Sequence, residues 1–397
     1  MLTRRKFVHT VGMGAAGALT ASYIGARGRE DALWSLSTPL EASGAAQAQT
    51  MIPLSSNENP LGPGQVVLQA IQDAFGPQGA TPGRYSNATG ALRDALSGHL
   101  GVTPENLTLG CGSTQILRTA THVYTERTRA LVGTIPTYEE CAGYAAMLGR
   151  PVRAVSLNRN FQMDLDELAD ASRGAGLVFY CNPNNPVATY TGAQATRDFI
   201  ARVHRISPDT RILVDEAYFD YVTHPDHESM IPLALEDPRV IVARTFSKAY
   251  GMAGLRLGYA VAHPDAIRTL SAWDSGSGTS SLNVLALHAG VAAIGQGTAF
   301  TDAERARNKA VRDFTVKWFA DRGMRSTESH TNFIFTNTGM PARQFRDGCL
   351  AKGVRVGRDF PPFQNEWCRI SLGTMEEMTK AVAVFGEVLG KVAVAAA

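Results

Sequence analysis

Short apolar runs and longer amphipathic segments alternate along the chain from Met51 onward. Several runs have the length and composition of buried β-strands, and helical stretches such as 196–206 separate them. The predicted strands include 130–132, 152–157, 177–180, 211–214, 240–243 and 257–262. Buried strands that alternate with helices indicate an α/β fold with a largely parallel sheet.

The pattern changes beyond about Leu282. A long amphipathic helix is predicted over 301–322, where Val311, Phe314 and Trp318 stand at positions i, i+3 and i+7. We expect this helix to pack a second, smaller α/β domain at the C-terminal end. The predicted divisions are a leader at 1–48, an N-terminal arm at 49–64, a large domain at 65–290 and a small domain at 291–397.

Composition and charge narrow the class of protein. The chain has 397 residues, of which 44% are hydrophobic and 19% charged, and this balance is typical of a globular protein. Its net charge is only +2, and the body has no basic run, so we expect no nucleic-acid partner. The five cysteines are odd in number and lack C-x-x-C spacing. This argues against a disulfide framework or a zinc ribbon, and we predict no metal site.

The amino terminus has the features of an export address. Arg4 and Arg5 precede a weakly apolar stretch rich in Gly and Ala, 11–26, which is too short and too Gly-rich to span a bilayer as a stable helix. The pairing resembles a twin-arginine signal, and an untargeted tail is the alternative. We therefore predict a periplasmic protein without stable membrane association, cleaved near either Ala26 or Ala48.

Polar segments follow three of the predicted strands. They are 182–186 (Asn-Pro-Asn-Asn-Pro), 215–218 (Asp-Glu-Ala-Tyr) and 244–248 (Arg-Thr-Phe-Ser-Lys). Taken singly, each has an ordinary alternative as a turn, a helix cap or a surface pair. Ligands of open α/β sheets bind outside the carboxyl ends of the strands, so we expect the three segments to converge on one pocket.

Together these segments suggest the chemistry of pyridoxal phosphate. A lysine near an apolar strand end, such as Lys248, loses its proton more easily and then attacks an aldehyde. Asp215 would keep a pyridine nitrogen protonated, a Tyr and an Asn would bind a ring hydroxylate, and Arg256 would hold a phosphate. These are the tasks that a protein performs around this cofactor.

The order of these motifs resembles the fold-type I aminotransferases, and within them the histidinol-phosphate aminotransferase branch. Further matching segments are 57–63, 84–85, 110–113, 136–138, 253–256 and 369–374. The resemblance spans about 57–374. It implies an aspartate-aminotransferase-like large domain with a mostly parallel, seven-stranded-type sheet, and pyridoxal 5'-phosphate as the cofactor.

The resemblance also implies a role for each matching residue. Lys248 would form the Schiff base and move the proton, Asp215 would pair with the ring nitrogen, and Tyr138 would stack on the ring. Asn185 and Tyr218 would bind the ring oxygen. The residues implied at the phosphate are Gly112, Ser113, Thr114, Thr245, Ser247, Arg256 and, from a neighbouring subunit, Tyr85. The shared tyrosine implies a homodimer.

Three further residues are predicted to bind the substrate. The resemblance makes Arg369 a bidentate clamp for an α-carboxylate, a task that suits a planar guanidinium. Asn57 is likewise predicted to bind the substrate. Arg358 is a candidate for binding an acidic or phosphorylated side chain, with an ordinary surface arginine as the alternative. The expected partners are a small-molecule amino acid and a 2-oxo acid, which react in two ping-pong half-reactions.

Two departures from the branch pattern bear on the substrate. Val187-Ala188 stands where the branch has Thr-Gly, and because Ala adopts positive φ only at a cost, we expect this turn to differ locally. Ser113-Thr114-Gln115 replaces Ser-Asp-Glu. An amino-acid decarboxylase or oxidase on the same scaffold remains an alternative. A non-catalytic periplasmic binding protein is a more distant one.

Overall fold

The computed structural model describes residues 51–76, 81–84, 88–273, 282–358, 360 and 366–393. The predicted leader and Tyr85 lie outside these residues. The strands are β1 (Ile52–Leu54), β2 (Leu107–Gly110), β3 (Leu131–Ile135), β4 (Val152–Ser156), β5 (Leu177–Cys181), β6 (Arg211–Asp215), β7 (Val240–Thr245), β8 (Gly258–Ala262), β9 (Phe333–Asn337), β10 (Val354–Val356) and β11 (Trp367–Ser371).

Helices connect and cover these strands. The helices are α1 (Gly64–Ala74), α2 (Ala88–Leu100), α3 (Ser113–Tyr124), α4 (Glu140–Met147), α5 (Leu165–Ala171), α6 (Ala193–Ile206), α7 (Ile231–Glu236), α8 (Pro264–Trp273), α9 (Val284–Gly295), α10 (Ala299–Ala320), α11 (Ala342–Leu350) and α12 (Met375–Ala393). No single described helix has the length and apolar character to cross a bilayer, and α9 with α10 would do so only as a pair bent by 83°.

A seven-stranded sheet occupies the centre of the fold, in the order β2-β8-β7-β6-β5-β3-β4. Neighbouring strands from β4 to β7 are parallel, whereas β8 runs antiparallel to both β7 and β2. The mostly parallel α/β sheet predicted from the sequence is therefore confirmed.

The central strands are apolar along their whole length because helices cover both faces of the sheet. Leu213 of β6 packs with residues of α3 and α8 on one face, whereas its neighbour Val214 packs with residues of α2, α6 and α9 on the other. Successive side chains of a strand point to opposite faces, so burial of both faces requires an unbroken apolar run. The polar residues therefore begin only where the strands end.

The C-terminal part of the chain builds a second core. Strand β11 pairs antiparallel with β9, and β10 pairs in parallel with β1 from the start of the described chain. The predicted amphipathic helix is observed as α10, with Val311 and Phe319 buried against Phe345 and Phe385. The N-terminal arm is thus attached to the C-terminal part. The predicted division into domains at 290 stays a prediction.

Candidate active site

A cavity of about 940 Å³ opens at the carboxyl ends of the central strands. Cys181, Asp215 and Thr245, which end β5, β6 and β7, form part of its lining. The predicted site residues that line this cavity are Asn57, Ser113, Thr114, Tyr138, Asn185, Asp215, Tyr218, Thr245, Ser247, Lys248, Arg256, Arg358 and Arg369. The convergence expected from the strand ends is observed, and the N-terminal arm and C-terminal strands complete the walls.

Lys248 lies in the cavity with few restraints on its amine. Its Nζ is 3.4 Å from the carbonyl oxygen of Ser56 and 5.7 Å from the centre of the Tyr218 ring. Burial and the charge of Arg369 lower the pKa of Lys248 to about 8, although Glu58 and Asp215 oppose this change. A lowered pKa increases the share of neutral amine, which is the form that attacks an aldehyde.

Asp215 is a buried carboxyl group, 2% exposed, at the end of β6. Its Oδ1 accepts a hydrogen bond from the backbone N–H of Ala217 at 3.2 Å, and the Sγ of Cys181 is 4.0 Å from its Oδ2. Burial raises the pKa of Asp215 to about 7, and the Ala217 N–H and Lys248 offset part of this rise. A cationic ligand group beside it would favour the carboxylate, as a protonated ring nitrogen does.

Arg369 presents an incomplete guanidinium fork to the cavity. Its Nη1 donates to Asn185 Oδ1 at 2.8 Å, and its Nη2 donates to the carbonyl oxygen of Ser55. Among the described residues nothing accepts a hydrogen bond from its buried Nε. A buried donor without an acceptor is unusual in a folded protein. This geometry fits a carboxylate ligand, which accepts from two guanidinium nitrogens at once.

The start of α3 and Arg256 form a cradle for an anion. Gly112, with φ +72°, precedes the helix, and a Cβ at this position would lie 2.5 Å from Nη2 of Arg256. A Cβ at Gly258 would lie 2.3 Å from the backbone nitrogen of Ser113. Arg256 donates from Nη1 to Ser247 Oγ at 3.3 Å. Free N–H groups at a helix amino terminus beside a guanidinium are suited to a phosphate.

Tyr138 lies next to the first turn of α3, where it contacts Thr114. The side chain of Thr114 hydrogen-bonds to the Tyr138 hydroxyl, and burial raises the pKa of that phenol. The ring packs at the edge of the apolar cluster that includes Ile116 and Cys141. Thr245 has a supporting contact, because its Oγ1 accepts from the backbone N–H of Ser247 at 3.1 Å. The roles of Tyr138 and Thr245 towards a cofactor stay predictions.

The turn after Asn185 contains a residue with left-handed backbone. Ala188 has φ +65°, a conformation that alanine adopts at a cost, and a local difference of this turn from the branch pattern stays a prediction. The Ala188 N–H donates to Asn184 O, and its carbonyl accepts from the His330 N–H at 3.0 Å. The hydroxyl of Thr327 donates to the neighbouring Val187 carbonyl. These contacts hold an alanine in a conformation that it adopts at a cost.

Two ion pairs with exposed arginines line another part of the cavity, and of their four residues only Arg358 was predicted from the sequence. Arg358 pairs with Glu139, and Arg118 pairs with Glu140 at 2.5 Å. Phe360 lies between two guanidinium groups, with its ring centre 4.6 Å from Arg358 Cζ and 4.8 Å from Arg369 Cζ. Arg118 stands four residues after Thr114 on α3, so the two side chains share one face of the helix. This spacing in the sequence would have indicated Arg118 as a further residue of the site. We call Arg118, Glu139, Glu140 and Arg358 the outer wall.

The residues present fit pyridoxal phosphate. An amine with a lowered pKa, a buried carboxyl group and an anion cradle lie in one cavity beside a guanidinium with an unused Nε. When bound, the cofactor supplies an electron-withdrawing ring that stabilises negative charge on the substrate's α-carbon. The class defined by this fold and site is the pyridoxal-phosphate-dependent transferases.

The chain belongs to the aminotransferase class I and II family, whose model matches residues 49–385. It is 35% identical to a histidinol-phosphate aminotransferase of Moorella thermoacetica over 85% of this chain and 86% of that protein. A second such relative, from Halalkalibacterium halodurans, is 30% identical over 86% and 90% of the two chains. The function of the present chain is that of a pyridoxal-phosphate-dependent aminotransferase.

Solved structures agree with this assignment. The histidinol-phosphate aminotransferase of Sinorhizobium meliloti in complex with pyridoxal-5'-phosphate aligns with a TM-score of 0.79 at 27% identity, over 90% of this chain and 96% of that one. The aspartate aminotransferase of Thermus thermophilus with maleate aligns with a TM-score of 0.72 at 21% identity, over 88% and 97% of the two chains. The second likeness concerns the fold alone.

Proposed function

We propose that this aminotransferase binds its cofactor through Lys248 and takes an amino acid whose α-carboxylate is held by Arg369. The observation that carries this proposal is the buried Arg369 Nε, which has no acceptor among the described residues. Burial lowers the Lys248 pKa, and the charge of the same guanidinium adds to this effect. Amino donor and 2-oxo acceptor share a carboxylate next to the reacting carbon. One clamp therefore serves both half-reactions.

Arg358 is proposed to bind a second anionic group on the substrate side chain, either a carboxylate or a phosphate. The relatives named above are histidinol-phosphate aminotransferases by name, and histidinol phosphate, the phosphate ester of an amino alcohol, has no carboxylate, so its phosphate is the one anionic group that it offers to either arginine. In this chain Arg358 is paired with Glu139, so an anionic side chain has to displace that carboxylate. A substrate with a neutral side chain leaves the pair intact.

A half-reaction screen tests the reaction and the substrate class. Glutamate, aromatic amino acids and histidinol phosphate are added singly to the holoenzyme while the visible absorbance of the bound cofactor is followed. We expect conversion to the amine form of the cofactor with release of the matching oxo product, and recovery of the absorbance when a 2-oxo acid is added. Release of carbon dioxide or hydrogen peroxide in place of an oxo product would indicate a decarboxylase or an oxidase.

The attachment of the cofactor to Lys248 is tested without turnover. Borohydride reduction of the holoenzyme, followed by peptide mass mapping, is expected to place the cofactor on the peptide that contains Lys248. Lys309, an exposed lysine of α10, serves as the matched lysine for non-specific labelling. Label on another lysine, or no label with cofactor supplied, would refute the assignment.

Export by the twin-arginine route is the second part of the proposal. It is supported by Arg4, Arg5 and the mild hydrophobicity of 11–26, all outside the described residues. A phosphorylated cofactor is loaded most simply in the cytoplasm, and a route for folded proteins preserves it. Changing both arginines to lysine should retain active precursor in the cytoplasm. If that variant reaches the periplasm as well as the parent does, the export route is wrong.

A homodimer with shared sites is the third part. Its support is the family resemblance at Arg84-Tyr85, since Tyr85 itself lies outside the described residues. Mixing an inactive Lys248→Ala chain with an inactive Tyr85→Ala chain should restore some activity, because each mixed dimer rebuilds one complete site. A fully active monomer in sedimentation would contradict the shared site.

A further inference from the structure

We propose that Ser371 is a positioning residue that acts through Asn57 to direct the Tyr218 hydroxyl toward the ring oxygen of bound pyridoxal phosphate. The inference rests on the proposed cofactor site and deepens it. Ser371 belongs to the matching segment 369–374 but does not itself line the cavity. Its basis is a chain of hydrogen bonds among three buried residues that lie far apart in the sequence.

The chain begins with two hydrogen bonds between Ser371 and Asn57. Ser371 Oγ accepts from the backbone N–H of Asn57 at 2.8 Å and donates to Asn57 Oδ1 at 2.7 Å. The Nδ2 of Asn57 then donates to the Tyr218 hydroxyl oxygen at 3.1 Å. All three side chains are buried. With φ +55°, Asn57 adopts a left-handed conformation that asparagine tolerates better than most residues.

The hydrogen-bond donors of Ser371 and Asn57 determine the direction of the Tyr218 proton. A serine hydroxyl has one hydrogen, and Ser371 gives it to Oδ1 of Asn57, which turns Nδ2 of that amide toward Tyr218. Nδ2 has no lone pair to accept a hydrogen bond, so the phenol oxygen must be the acceptor. The single proton of Tyr218 therefore points away from Asn57. Burial raises the pKa of Tyr218 and keeps that proton on the phenol.

The remaining direction for this proton is the cavity. Tyr218 lines the cavity together with Asn185 and Lys248. The ring of Phe333 packs edge-on against Tyr218 with centres 5.2 Å apart, which restricts the tyrosine ring. If the Asn57 amide were reversed, its Oδ1 would accept the phenol proton and Tyr218 would have none to donate into the cavity. Ser371 is thus the group that decides between two orientations of one amide.

Other contacts hold the arm independently of Ser371. Asn332 Nδ2 donates to the Asn57 carbonyl oxygen at 2.9 Å, and β1 pairs with β10. Loss of the Ser371 hydroxyl removes the acceptor of the Asn57 backbone N–H and frees the side-chain amide, while these other contacts still hold the arm. Ser371 also lies two residues after Arg369 on β11, so both side chains emerge on the same side of that strand. One strand thus presents the proposed carboxylate clamp and orients the phenol.

The predicted consequence is a change in the titration of the bound cofactor. A hydrogen bond donated to the ring oxygen favours its anionic form and lowers the pKa of the chromophore. In Ser371→Ala the amide loses the group that orients it, and Tyr218 divides its proton between Asn57 and the cavity. We expect the midpoint of the pH titration to rise by up to about one pH unit, as the loss of one hydrogen bond allows.

The test uses five holoenzyme variants, of which Ser371→Ala is the first, and the cofactor's absorbance as the readout. Ser371→Thr keeps a hydroxyl and should titrate like the parent. Tyr218→Phe removes the donor and should raise the midpoint at least as far as Ser371→Ala. The double variant of Ser371→Ala and Tyr218→Phe should titrate like Tyr218→Phe alone. Ser329→Ala, which removes a buried hydroxyl bonded to the Phe333 carbonyl, should lower the melting temperature without moving the midpoint.

Each possible outcome decides the proposal. An unshifted midpoint in Ser371→Ala, or a shift that adds to that of Tyr218→Phe, would overturn it. If Ser371→Ala does not fold, Ser371→Cys provides the test, because a thiol is only a weak donor and a weak acceptor and orients the Asn57 amide poorly, which should raise the midpoint. Failure of the proposed cofactor site is distinguishable, since the parent itself would then show no borohydride-fixed label on Lys248.

Discussion

The floor of the cavity, by which we mean Asn185, Asp215, Lys248 and Arg369, differs from the outer wall in how its charges are placed. On the floor, Asp215 is 2% exposed, and the Nε of Arg369 has no partner among the described residues. On the outer wall the side chains of Arg358 and Glu139 are 54% and 61% exposed and form an ion pair. The floor thus keeps charged groups buried and available to a ligand, whereas the outer wall satisfies its charges with one another in contact with water.

This difference separates the chemistry from the choice of substrate. Burial shifts the pKa values of the groups on the floor, to about 8 for Lys248, where the charge of Arg369 adds to the effect, and to about 7 for Asp215, where the charge of Lys248 opposes it. Exposed ion pairs contribute only about 0–1 kcal/mol and rearrange easily. Changes on the floor should therefore alter the reaction, whereas changes on the outer wall should alter which side chains are accepted.

The largest effect is expected for Lys248→Ala on the floor. Loss of the attacking amine should lower turnover by on the order of 10⁴-fold or more, since no neighbouring group replaces it. Steady-state assays with saturating cofactor measure this. Lys309→Ala, at an exposed lysine paired with Asp313, should retain parental turnover. Comparable activity in the two variants would remove Lys248 from the reaction.

The next largest effect is expected for Asp215→Asn. This substitution should weaken cofactor binding but stabilise the cofactor-free protein at pH 8. Cofactor affinity should fall by about 10- to 100-fold, because a buried charge-assisted contact is lost. The pKa of Asp215 is raised from 3.8 to about 7 in the folded protein, so its contribution to stability is fully present below pH 3.8 and is lost as pH rises through 7. The cofactor-free variant should therefore exceed the parent in melting temperature at pH 8 but not at pH 4.

Thermal melts at the two pH values measure this difference, and equilibrium dialysis measures cofactor affinity. Asp198→Asn on the exposed face of α6 is the control and should show no pH-dependent gain. The prediction is contradicted if the cofactor-free parent and the Asp215→Asn variant have the same melting temperature at pH 8. The buried carboxyl group of Asp215 would then not destabilise the cofactor-free protein.

A smaller effect is expected for Arg369→Lys. The fork is replaced by a single ammonium, and loss of one charged hydrogen bond should reduce kcat/KM for amino acids by about 10- to 100-fold. Saturation of the half-reaction with each amino acid measures it. Arg322→Lys, at an arginine that lies over the Trp318 ring, is the control substitution. Unchanged kcat/KM in Arg369→Lys would place the carboxylate elsewhere.

The smallest effect is expected on the outer wall, from Glu139→Gln. Removing the carboxylate that competes for Arg358 should lower KM for acidic or phosphorylated substrates by a few-fold, up to about 5-fold for an exposed pair, and leave neutral substrates unchanged. KM values for one acidic and one neutral substrate measure the contrast. Glu228→Gln, in the exposed pair with Arg197, is the matched control. An equal change in KM for both substrates would contradict the prediction that the outer wall determines which side chains are accepted.

The fold was predictable where strands are long, apolar and adjacent in the chain. The runs at 177–180, 211–214 and 240–243 correspond to β5, β6 and β7 within one or two residues. Strands β1, β2, β9, β10 and β11 were not among those predicted, and β1 and β10 have only three residues each, which leave little periodic pattern. The antiparallel direction of β8 also escaped prediction, because an apolar run looks the same in either direction.

The sequence by itself determined which residues gather on the floor of the cavity. Asn185, Asp215 and Lys248 follow the ends of neighbouring parallel strands, and such ends meet at one edge of a sheet whatever the rest of the chain does. Local order was therefore enough to predict their convergence and, through the resemblance, the cofactor.

Only the tertiary structure decided the contacts between distant segments. Ser371 and Asn57 are 314 residues apart, and Arg358 and Glu139 are 219 apart. Both contacts depend on how the arm and the C-terminal strands pack beside the central sheet. Periodicity records which face of an element is buried but not which distant side chain it meets. The direction of a hydroxyl proton and the partner of an exposed arginine follow from that packing alone.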